Sequence, residues 1–230
     1  IVTRVANGSP AAEVREQADV IMKIDGRSIA GDGTVEFRSG SRTSLNYMVN
    51  RRQIGETVPF DIVRDGIPET VEVTLRTTIH DLTLVPDKIY DIPPEYFIFG
   101  GIVFIPLTLN YLEEWGREWH LNTADYLSYP LLFDNWRTED REEIVVLSFI
   151  LPAEVNTGYE GINYEIIETV DGTPVRSFPQ FVEMVESGTD PFLELVTSLG
   201  NIIVLNREEA VAAGDEIMIR YGIPVDRLVF

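Results

Sequence analysis

The chain has 230 residues, of which 44% are hydrophobic and 24% are charged, as is ordinary for a folded protein. Thirty-eight acidic residues against eighteen basic ones give a formal net charge of −20 at pH 7. Because such a charge repels phosphate backbones, nucleic-acid binding is disfavoured. The sequence has no cysteine, which excludes disulfide bonds and cysteine nucleophiles. The longest apolar run, 98–109, is shorter than the about twenty residues of a membrane helix, so no membrane insertion is expected.

The N-terminal residues predict a small module of strands and short helices. The β-branched run Ile1–Val5 favours a strand, and Asn7-Gly8 favours a turn. Ser9 is suited to cap a short helix that begins at Pro10, where the missing N–H is not needed. Asp19–Gly26 then predicts a strand that ends in a tight Asp-Gly turn.

A loop and a helix are predicted next. Arg27–Thr43 is polar and contains three glycines, which indicates an extended loop. Ser44–Arg52 begins at a suitable N-cap and predicts a helix. The apolar face of this helix consists of Leu45, Met48 and Val49.

The first domain closes with a predicted β-hairpin. Thr57–Arg64 and Glu69–Arg76 alternate apolar and polar residues around Asp65-Gly66, the turn that favours such a hairpin. We therefore expect the first domain to span residues 1–76. A connector over 77–94 follows, and the two prolines at its end stiffen it.

The second domain is expected to span 95–230. Tyr96–Leu107 predicts a strand that is entered through Gly100-Gly101, and Ile144–Ser148 predicts another strand. An insertion over about 110–143 lies between them, and we expect it to contain helix and to pack on the domain. Its aromatic residues include Trp115, Trp119, Tyr126, Tyr129, Phe133 and Trp136.

The second domain repeats the first. Glu165–Gly172 resembles Asp19–Gly26 at an offset of 146 residues. A predicted helix near Phe178–Glu186 and strands near Pro191–Thr197 and Asn201–Asn206 follow in the same order as in the first domain. This order indicates a diverged internal repeat.

A helix and an apolar tail end the chain. Arg207–Tyr221 has helical periodicity, and the tail Ile223–Phe230 is apolar enough to dock on the domain. The residues on one face of the helix are Ala210, Ala213, Ile217 and Tyr221.

Several of these stretches resemble the PDZ domains of HtrA/Deg-type serine proteases. In the first domain the resemblance rests on Val2, Val5 and Ser9-Pro10-Ala11, followed by Asp19–Gly26. In the second domain, Pro94–Leu107 and Val155–Glu160 are similar to the Deg9-like branch of that family. Further matching stretches are Asp32–Arg38, Tyr111-Leu112, Trp115-Gly116, Val145–Ser148 and Val204–Asn206.

This resemblance implies an α+β fold, mainly β, with two tandem PDZ-like domains, each a partly open barrel or sandwich capped by short helices. It also implies an upstream trypsin-like protease domain in a longer parent protein, which would be a homo-oligomeric endopeptidase of protein quality control. The first domain lacks the strand and the carboxylate-binding loop that should precede Ile1, so its groove is not assigned. Bacterial members are usually periplasmic, whereas the Deg9-like branch also occurs in plant cells.

The residues offer no catalytic or metal site. A serine-protease triad needs a histidine beside a serine and an aspartate, and the two histidines, His80 and His120, lie in the connector and among tryptophans. No Gly-x-Ser-x-Gly elbow occurs, and the carboxylates show no metal-ligand spacing. We therefore expect this chain to be non-catalytic and to need no cofactor.

Peptide binding is the chemistry that the sequence favours. An extended peptide can add a strand to a sheet edge, and successive glycine N–H groups can receive a terminal carboxylate. The predicted peptide-binding residues are Phe99, Gly100, Gly101, Ile102 and Val103, opposite Phe181, Val182 and Val185. In the alternative interpretation, the glycines only form a bulge and the three residues of the helix belong to the core.

Two functions remain open from the sequence. The first is a regulatory PDZ pair that recognises extended or C-terminal segments of substrates and aids assembly. The second is a purely structural scaffold for oligomerisation. In that scaffold the connector segment Ile89–Ile92 or the tail segment Leu228–Phe230 would fill the grooves.

Overall fold

The computed structural model describes residues 1–6, 8–13 and 18–230. The chain divides into two compact units, Ile1–Thr83 and Leu84–Phe230. Both are built mainly from strands with short helices, which confirms the predicted α+β fold class. The predicted domain limits at 76 and 95 stay a prediction, and the observed division falls within the predicted connector.

Unit 1 contains a four-stranded antiparallel sheet, in the order β2-β1-β5-β6, and a separate hairpin of β3 and β4. The strands are β1 (Val20–Ile24), β2 (Arg27–Ser28), β3 (Thr34–Arg38), β4 (Ser41–Ser44), β5 (Thr57–Arg64) and β6 (Ile67–Thr74), and the helix α1 spans Asn46–Asn50. The small core between these elements contains Ile24, Val35, Met48, Val58, Phe60, Ile62 and Val73.

Most local predictions for unit 1 are confirmed. β5 and β6 form the predicted hairpin around Asp65-Gly66, and Met48 of α1 is buried. A 3-10 helix over Pro10–Glu13 follows Ser9. The predicted turn at Asn7-Gly8 falls partly outside the described residues, because Asn7 is not among them.

Two predictions for unit 1 are wrong. Ile1–Val5 forms no regular strand, although Val2 N donates to Asp19 O and Ala18 N donates to Val2 O. Arg27–Thr43 is not an extended loop, because it contains β2 and β3 and most of β4. Only Val35 is buried in the β3–β4 hairpin, so the apolar periodicity that reveals strands is missing there.

Unit 2 is organised around one long antiparallel sheet in the order β13-β12-β10-β9-β8-β7-β14, with β11 also paired to β10. The strands are β7 (Tyr96–Phe99), β8 (Ile102–Pro106), β9 (Val145–Ile150), β10 (Glu165–Val170), β11 (Thr173–Pro174), β12 (Phe192–Thr197), β13 (Ile202–Asn206) and β14 (Arg227–Leu228). The helices are α2 (Leu109–Leu112), α3 (Trp119–Asn122), α4 (Asp125–Phe133), α5 (Phe178–Ser187) and α6 (Arg207–Tyr221).

Alternate residues of the central strands face two different cores, as the pleat of a sheet requires. Val145 and Leu147 of β9 pack with α5, whereas Val146 packs with Leu112 and Leu127 of the aromatic insertion. The insertion therefore contains helix and packs on the sheet, as predicted. Leu84 and Val85, from the predicted connector, also belong to the core on the insertion side.

The internal repeat is visible in the structure. β1 and β10 each lead into an Asp-Gly turn with positive φ angles, +50° and +74° at Asp25-Gly26 and +49° and +75° at Asp171-Gly172. A two-residue strand follows in both cases. The equivalent carboxylates Asp19 and Glu165 are both buried. Similar local sequence thus forms similar local structure in the two units.

The C-terminal helix of unit 2 lies where the sequence predicts it. α6 spans the predicted residues, with Asn206 accepting a hydrogen bond from Glu209 N and Gly222 ending the helix at φ +68°.

One prediction for unit 2 is wrong, because Tyr96–Leu107 is not one strand but a hairpin of β7 and β8. Gly100 and Gly101 form its two-residue turn. Among the described residues, no helix combines the length and apolar character that crossing a membrane requires.

Candidate functional site

A groove lies in unit 2 between the first strand of the sheet and the C-terminal helix. It encloses about 630 Å³, and we call it the β7–α6 groove. Its walls are β7, one face of α6 and the segment that leads into β14. Its lining residues are Phe97, Ile98, Phe99, Gly100, Gly101, Glu186, Ala210, Val211, Gly214, Asp215, Ile217, Met218, Pro224, Val225, Asp226 and Arg227.

The turn at one end of the groove requires glycine at both positions. Gly100 and Gly101 have φ angles of +55° and +81°, as two-residue hairpins of the primed type demand. A Cβ on Gly100 would lie 2.8 Å from the side chain of Leu205. A Cβ on Gly101 would lie 2.5 Å from Asn156 Nδ2 and 2.6 Å from Leu151 O. The two glycines are therefore fixed by backbone conformation and by close packing.

The side chain of Asn156 holds this turn in place through hydrogen bonds. Its side chain is fully buried, and its Nδ2 donates to Gly100 O at 2.8 Å and to Leu151 O at 2.9 Å. Leu151 N donates to Gly101 O at 2.7 Å. Both turn carbonyls thus have donors. In the described part of the chain no acceptor is found for the N–H groups of the two glycines, although both residues are buried.

The outer edge of β7 is already paired. β14 runs antiparallel to it, with Arg227 opposite Phe97 and Leu228 opposite Tyr96, and Ile98 N donates to Asp226 O at 2.8 Å. β8, which contains the predicted binding residues Ile102 and Val103, has β7 on one side and β9 on the other. The tail of the chain therefore lies where an added strand would lie.

The structure separates the predicted binding residues into two groups. Phe99, Gly100 and Gly101 line the β7–α6 groove. The other five are buried elsewhere in unit 2, and the assignment of a ligand to them stays a prediction. They are Ile102, Val103, Phe181, Val182 and Val185.

The helix that faces the groove is α6, which sequence reasoning did not select. α5 contributes only Glu186 to the lining, because Phe181 points into the core, with its ring centroid 4.7 Å from that of Phe104. The small residues Ala210 and Gly214 on the inner face of α6 were the available signal, since small residues allow space beside a helix.

The charges in the groove are mainly negative. Glu186, Asp215 and Asp226 line it together with one cation, Arg227. The Arg227 guanidinium lies 2.6 Å from Glu186 Oε1 and 2.8 Å from Asp226 Oδ2, and 5.1 Å from the centre of the Phe97 ring. Hydrogen bonds to these two carboxylates raise the pKa of Arg227, and the bond from Arg227 lowers the pKa of Asp226.

The opposite edge of the sheet is closed by a side chain. The Tyr159 hydroxyl accepts a hydrogen bond from Val204 N at 3.1 Å and donates one to Val204 O at 3.3 Å. Asn156 and Tyr159 belong to the same Asn-Thr-Gly-Tyr-Glu stretch. This stretch therefore contacts two separate parts of the sheet, since Asn156 anchors the glycine turn and Tyr159 binds Val204 of β13.

Comparison with known proteins identifies the class to which this fold belongs. The PDZ domain family model matches residues 85–227, which is more than half of the chain. The chain therefore belongs to the PDZ domain family, as the sequence resemblance implied.

Its relatives are named as Deg-type proteases. It is 32% identical over 99% of its length to Protease Do-like 2, chloroplastic, from Arabidopsis thaliana, covering 36% of that protein. It is 28% identical over 90% of its length to Protease Do-like 4, mitochondrial, from the same plant, covering 36% of it. Over 73% of the chain it is 29% identical to a serine protease DegP homolog of Plasmodium falciparum, covering 18% of it. The predicted resemblance to the PDZ region of HtrA-type proteases is thus confirmed, and the chain spans about a third of the plant relatives.

Proposed function

We propose that this chain is the polypeptide-recognition region of a Deg-type serine endopeptidase whose catalytic domain lies outside these 230 residues. Unit 2 would bind extended segments of substrates in the β7–α6 groove. Membership of the PDZ domain family and the names of the relatives support the class of function. Assembly of protease subunits and a role in protein quality control belong to this proposal by the same analogy.

One observation carries the choice of groove. β7 is bordered by a cavity of about 630 Å³, and the main-chain groups on its outer edge pair with β14, a strand of only two residues. So short a strand contributes few hydrogen bonds, each worth roughly 1 kcal/mol net. A longer segment that paired with β7 and placed an apolar side chain in the cavity could displace β14. The N–H groups of Gly100 and Gly101 would receive its carbonyl or carboxylate oxygen.

The expected affinity is modest. About four net hydrogen bonds of roughly 1 kcal/mol each, together with one buried side chain worth about 2 kcal/mol, leave little after the cost of association. Binding at a roughly micromolar level is therefore expected, and avidity in an oligomer would strengthen it. Because three carboxylates line the groove beside Arg227, segments with neutral or basic side chains should bind better than acidic ones.

A pair of variants on α6 tests the groove. Val211 lines it and is 68% exposed, whereas Ile219 lies outside it and is 82% exposed. The probe is a set of labelled ten-residue peptides selected on an array, with affinity measured by fluorescence anisotropy. Val211→Arg should weaken binding about tenfold or more, because it fills the groove with a long cation, and Ile219→Arg should change it less than about twofold. Equal effects of both variants would contradict the proposed site.

A second candidate function is a scaffold whose groove is permanently filled by the tail. The pairing of Arg227 and Leu228 with β7, and the hydrogen bond from Phe230 N to Glu95 Oε1 at 2.8 Å, favour it. Deleting residues 223–230 distinguishes the two functions. Peptide binding by the full chain supports the recognition region. An absence of binding before and after the deletion, with a multimeric mass by light scattering, supports the scaffold.

A further inference from the structure

Unit 1 contains a second cleft of a different chemical character. It encloses about 360 Å³ between β2 and the β3–β4 hairpin, and we call it the arginine cleft. Three cations line it in a chain whose net charge is −20. Its lining residues are Arg27, Ser28, Glu36, Phe37, Arg38, Ser39 and Arg42.

Neutral groups hold the three arginines in place. Arg27 Nη1 donates to Glu36 O at 2.9 Å, and Arg42 donates to Thr34 through Nε to Oγ1 at 2.6 Å and through Nη2 to O at 2.7 Å. The Arg38 guanidinium lies 4.9 Å from the centre of the Phe37 ring. The side chains are thus oriented, but their charges are not neutralised by these contacts.

The surrounding carboxylates are engaged elsewhere. Glu36 Oε1 accepts from Gly40 N at 3.3 Å, and Asp32 Oδ1 accepts from Thr34 N at 3.0 Å and Thr34 Oγ1 at 2.7 Å. These bonds from Thr34 are the main reason that the pKa of Asp32 is lowered, and the charge of Arg42 adds to them. The local acids therefore belong to the turns of unit 1 and form no ion pair with the cleft.

The main observation is that the arginines of the cleft differ from most other arginines of the chain in their ion pairing. Among the residues that the structure describes, no carboxylate oxygen lies within ion-pair distance of Arg27, Arg38 or Arg42. Most other arginines do have such partners. These paired arginines are Arg52, Arg64, Arg76, Arg141, Arg176, Arg207, Arg220 and Arg227. In a sequence with thirty-eight acids and eighteen bases, three unpaired arginines in one cleft leave a site for an external anion.

We propose that the arginine cleft binds an acidic segment of a partner polypeptide. Guanidinium groups pair with carboxylates through two parallel hydrogen bonds, and several such groups in one cleft can hold successive aspartate or glutamate side chains. Phe37 and Tyr47 lie edge to face at 4.9 Å and are 37% and 38% exposed. They provide the aromatic contacts that protein interfaces favour.

The charge of the whole chain selects a peptide over larger polyanions. A net charge of −20 repels the long, uniformly negative surface of a nucleic acid or an anionic membrane. A short acidic segment places its charge only within the cleft, where the arginines lie. This site is in unit 1 and is independent of the β7–α6 groove.

Binding of a labelled hexaglutamate peptide to the intact chain tests the proposal, with hexaglutamine as the uncharged control. Hexaglutamate should bind at low salt, hexaglutamine should not, and raising NaCl should weaken the binding. Arg38→Gln removes an arginine whose guanidinium lies over the Phe37 ring, so the hairpin should stay folded. It should lower the affinity about five- to tenfold. Arg117→Gln, which removes an exposed cation in unit 2, should change it less than about twofold.

Four results would overturn the proposal. The first is an absence of hexaglutamate binding at millimolar concentration, and the second is an equal loss of affinity in the Arg38 and Arg117 variants. The third is tighter binding of a twenty-base-pair DNA duplex than of the peptide at the same salt, which would indicate a general polyanion site. The fourth is concentration-dependent self-association that Arg38→Gln abolishes, which would make a second copy of this chain the occupant. Circular dichroism of each variant establishes that the fold is retained.

Discussion

Gly101 shows how much one residue contributes to the geometry of the groove. Its left-handed backbone and the 2.5 Å approach of Asn156 Nδ2 exclude every side chain. The turn therefore serves two purposes at once. It joins β7 to β8 through two residues, and both of them line one end of the groove. A bulky charge at this position would disrupt the turn before it affected a ligand.

Gly101→Ala should lower the free energy of unfolding by about 2–4 kcal/mol, because both backbone strain and the clash with Asn156 oppose it. Gly200→Ala is the matched control, since Gly200 has the same φ of +81° but nothing within 4 Å of its Cβ position. This control should cost only about 1–2 kcal/mol, from strain alone. Urea denaturation measures both values. An equal loss in the two variants would show that the contact with Asn156 is not tight.

At the scale of elements, β14 is a short strand at one edge of the sheet. It has two residues, and its position depends on Arg227, which holds Asp226 and Glu186 in one ionic cluster. The hydrogen bond from Ile98 N to Asp226 O joins the same segment to β7. The Asp226 carboxylate accepts two hydrogen bonds from the Arg227 guanidinium, which also pairs with Glu186 of α5, so the charge of Asp226 affects how this segment is attached.

Acid should loosen this strand. The pKa of Asp226 is lowered in the folded state, so its ion pair stabilises β14 above the ordinary carboxyl pKa and is lost as the pH falls through the lowered value. The amide of Ile98 should accordingly lose protection from hydrogen exchange as the pH is lowered from about 6 to about 2. The Leu151 amide, which donates to Gly101 O, serves as the internal control.

Asp226→Asn provides the comparison for this experiment. Because only the Glu186 carboxylate then remains on Arg227, Ile98 should already be less protected at neutral pH and should change less on acidification than in the wild-type chain. If the wild-type chain kept full protection at low pH, the ionic cluster would not be what holds the tail.

For the whole molecule, the excess of twenty negative charges is the dominant electrostatic feature. Many of the ion pairs in both units are surface pairs, and such pairs contribute little to stability. The remaining carboxylates repel each other, and this repulsion opposes the compact state. Recognition of basic segments by unit 2 and of acidic segments by unit 1 would therefore take place on a molecule whose general surface is acidic.

Salt should stabilise the chain. Raising NaCl from about 10 mM to about 300 mM shortens the screening length from roughly 30 Å to less than 10 Å, which removes most of the repulsion between distant carboxylates. The midpoint of thermal unfolding should rise by a few degrees. A fall in the midpoint would mean that the ion pairs outweigh the repulsion.

The sequence alone determined many of the local elements and the class of protein. The periodicity of Arg207–Tyr221, the Asp-Gly turns at Asp25 and Asp171, and the alternation along β5 and β6 each depend on neighbours in the chain. Such features follow from backbone preference and from the side that is buried. The resemblance to PDZ domains rests on these same short stretches, which is why it could be seen without coordinates.

Only the tertiary structure decided which surfaces form the groove. An apolar pattern shows that Phe181 and Ile102 are buried, but it does not show what covers them. The pairing of β7 with β14 and the position of α6 as the groove wall join residues that lie far apart in the chain. The meeting of three arginines in unit 1 depends on how β2 lies beside the β3–β4 hairpin. These contacts depend on how the finished elements pack together, which no local stretch of sequence encodes.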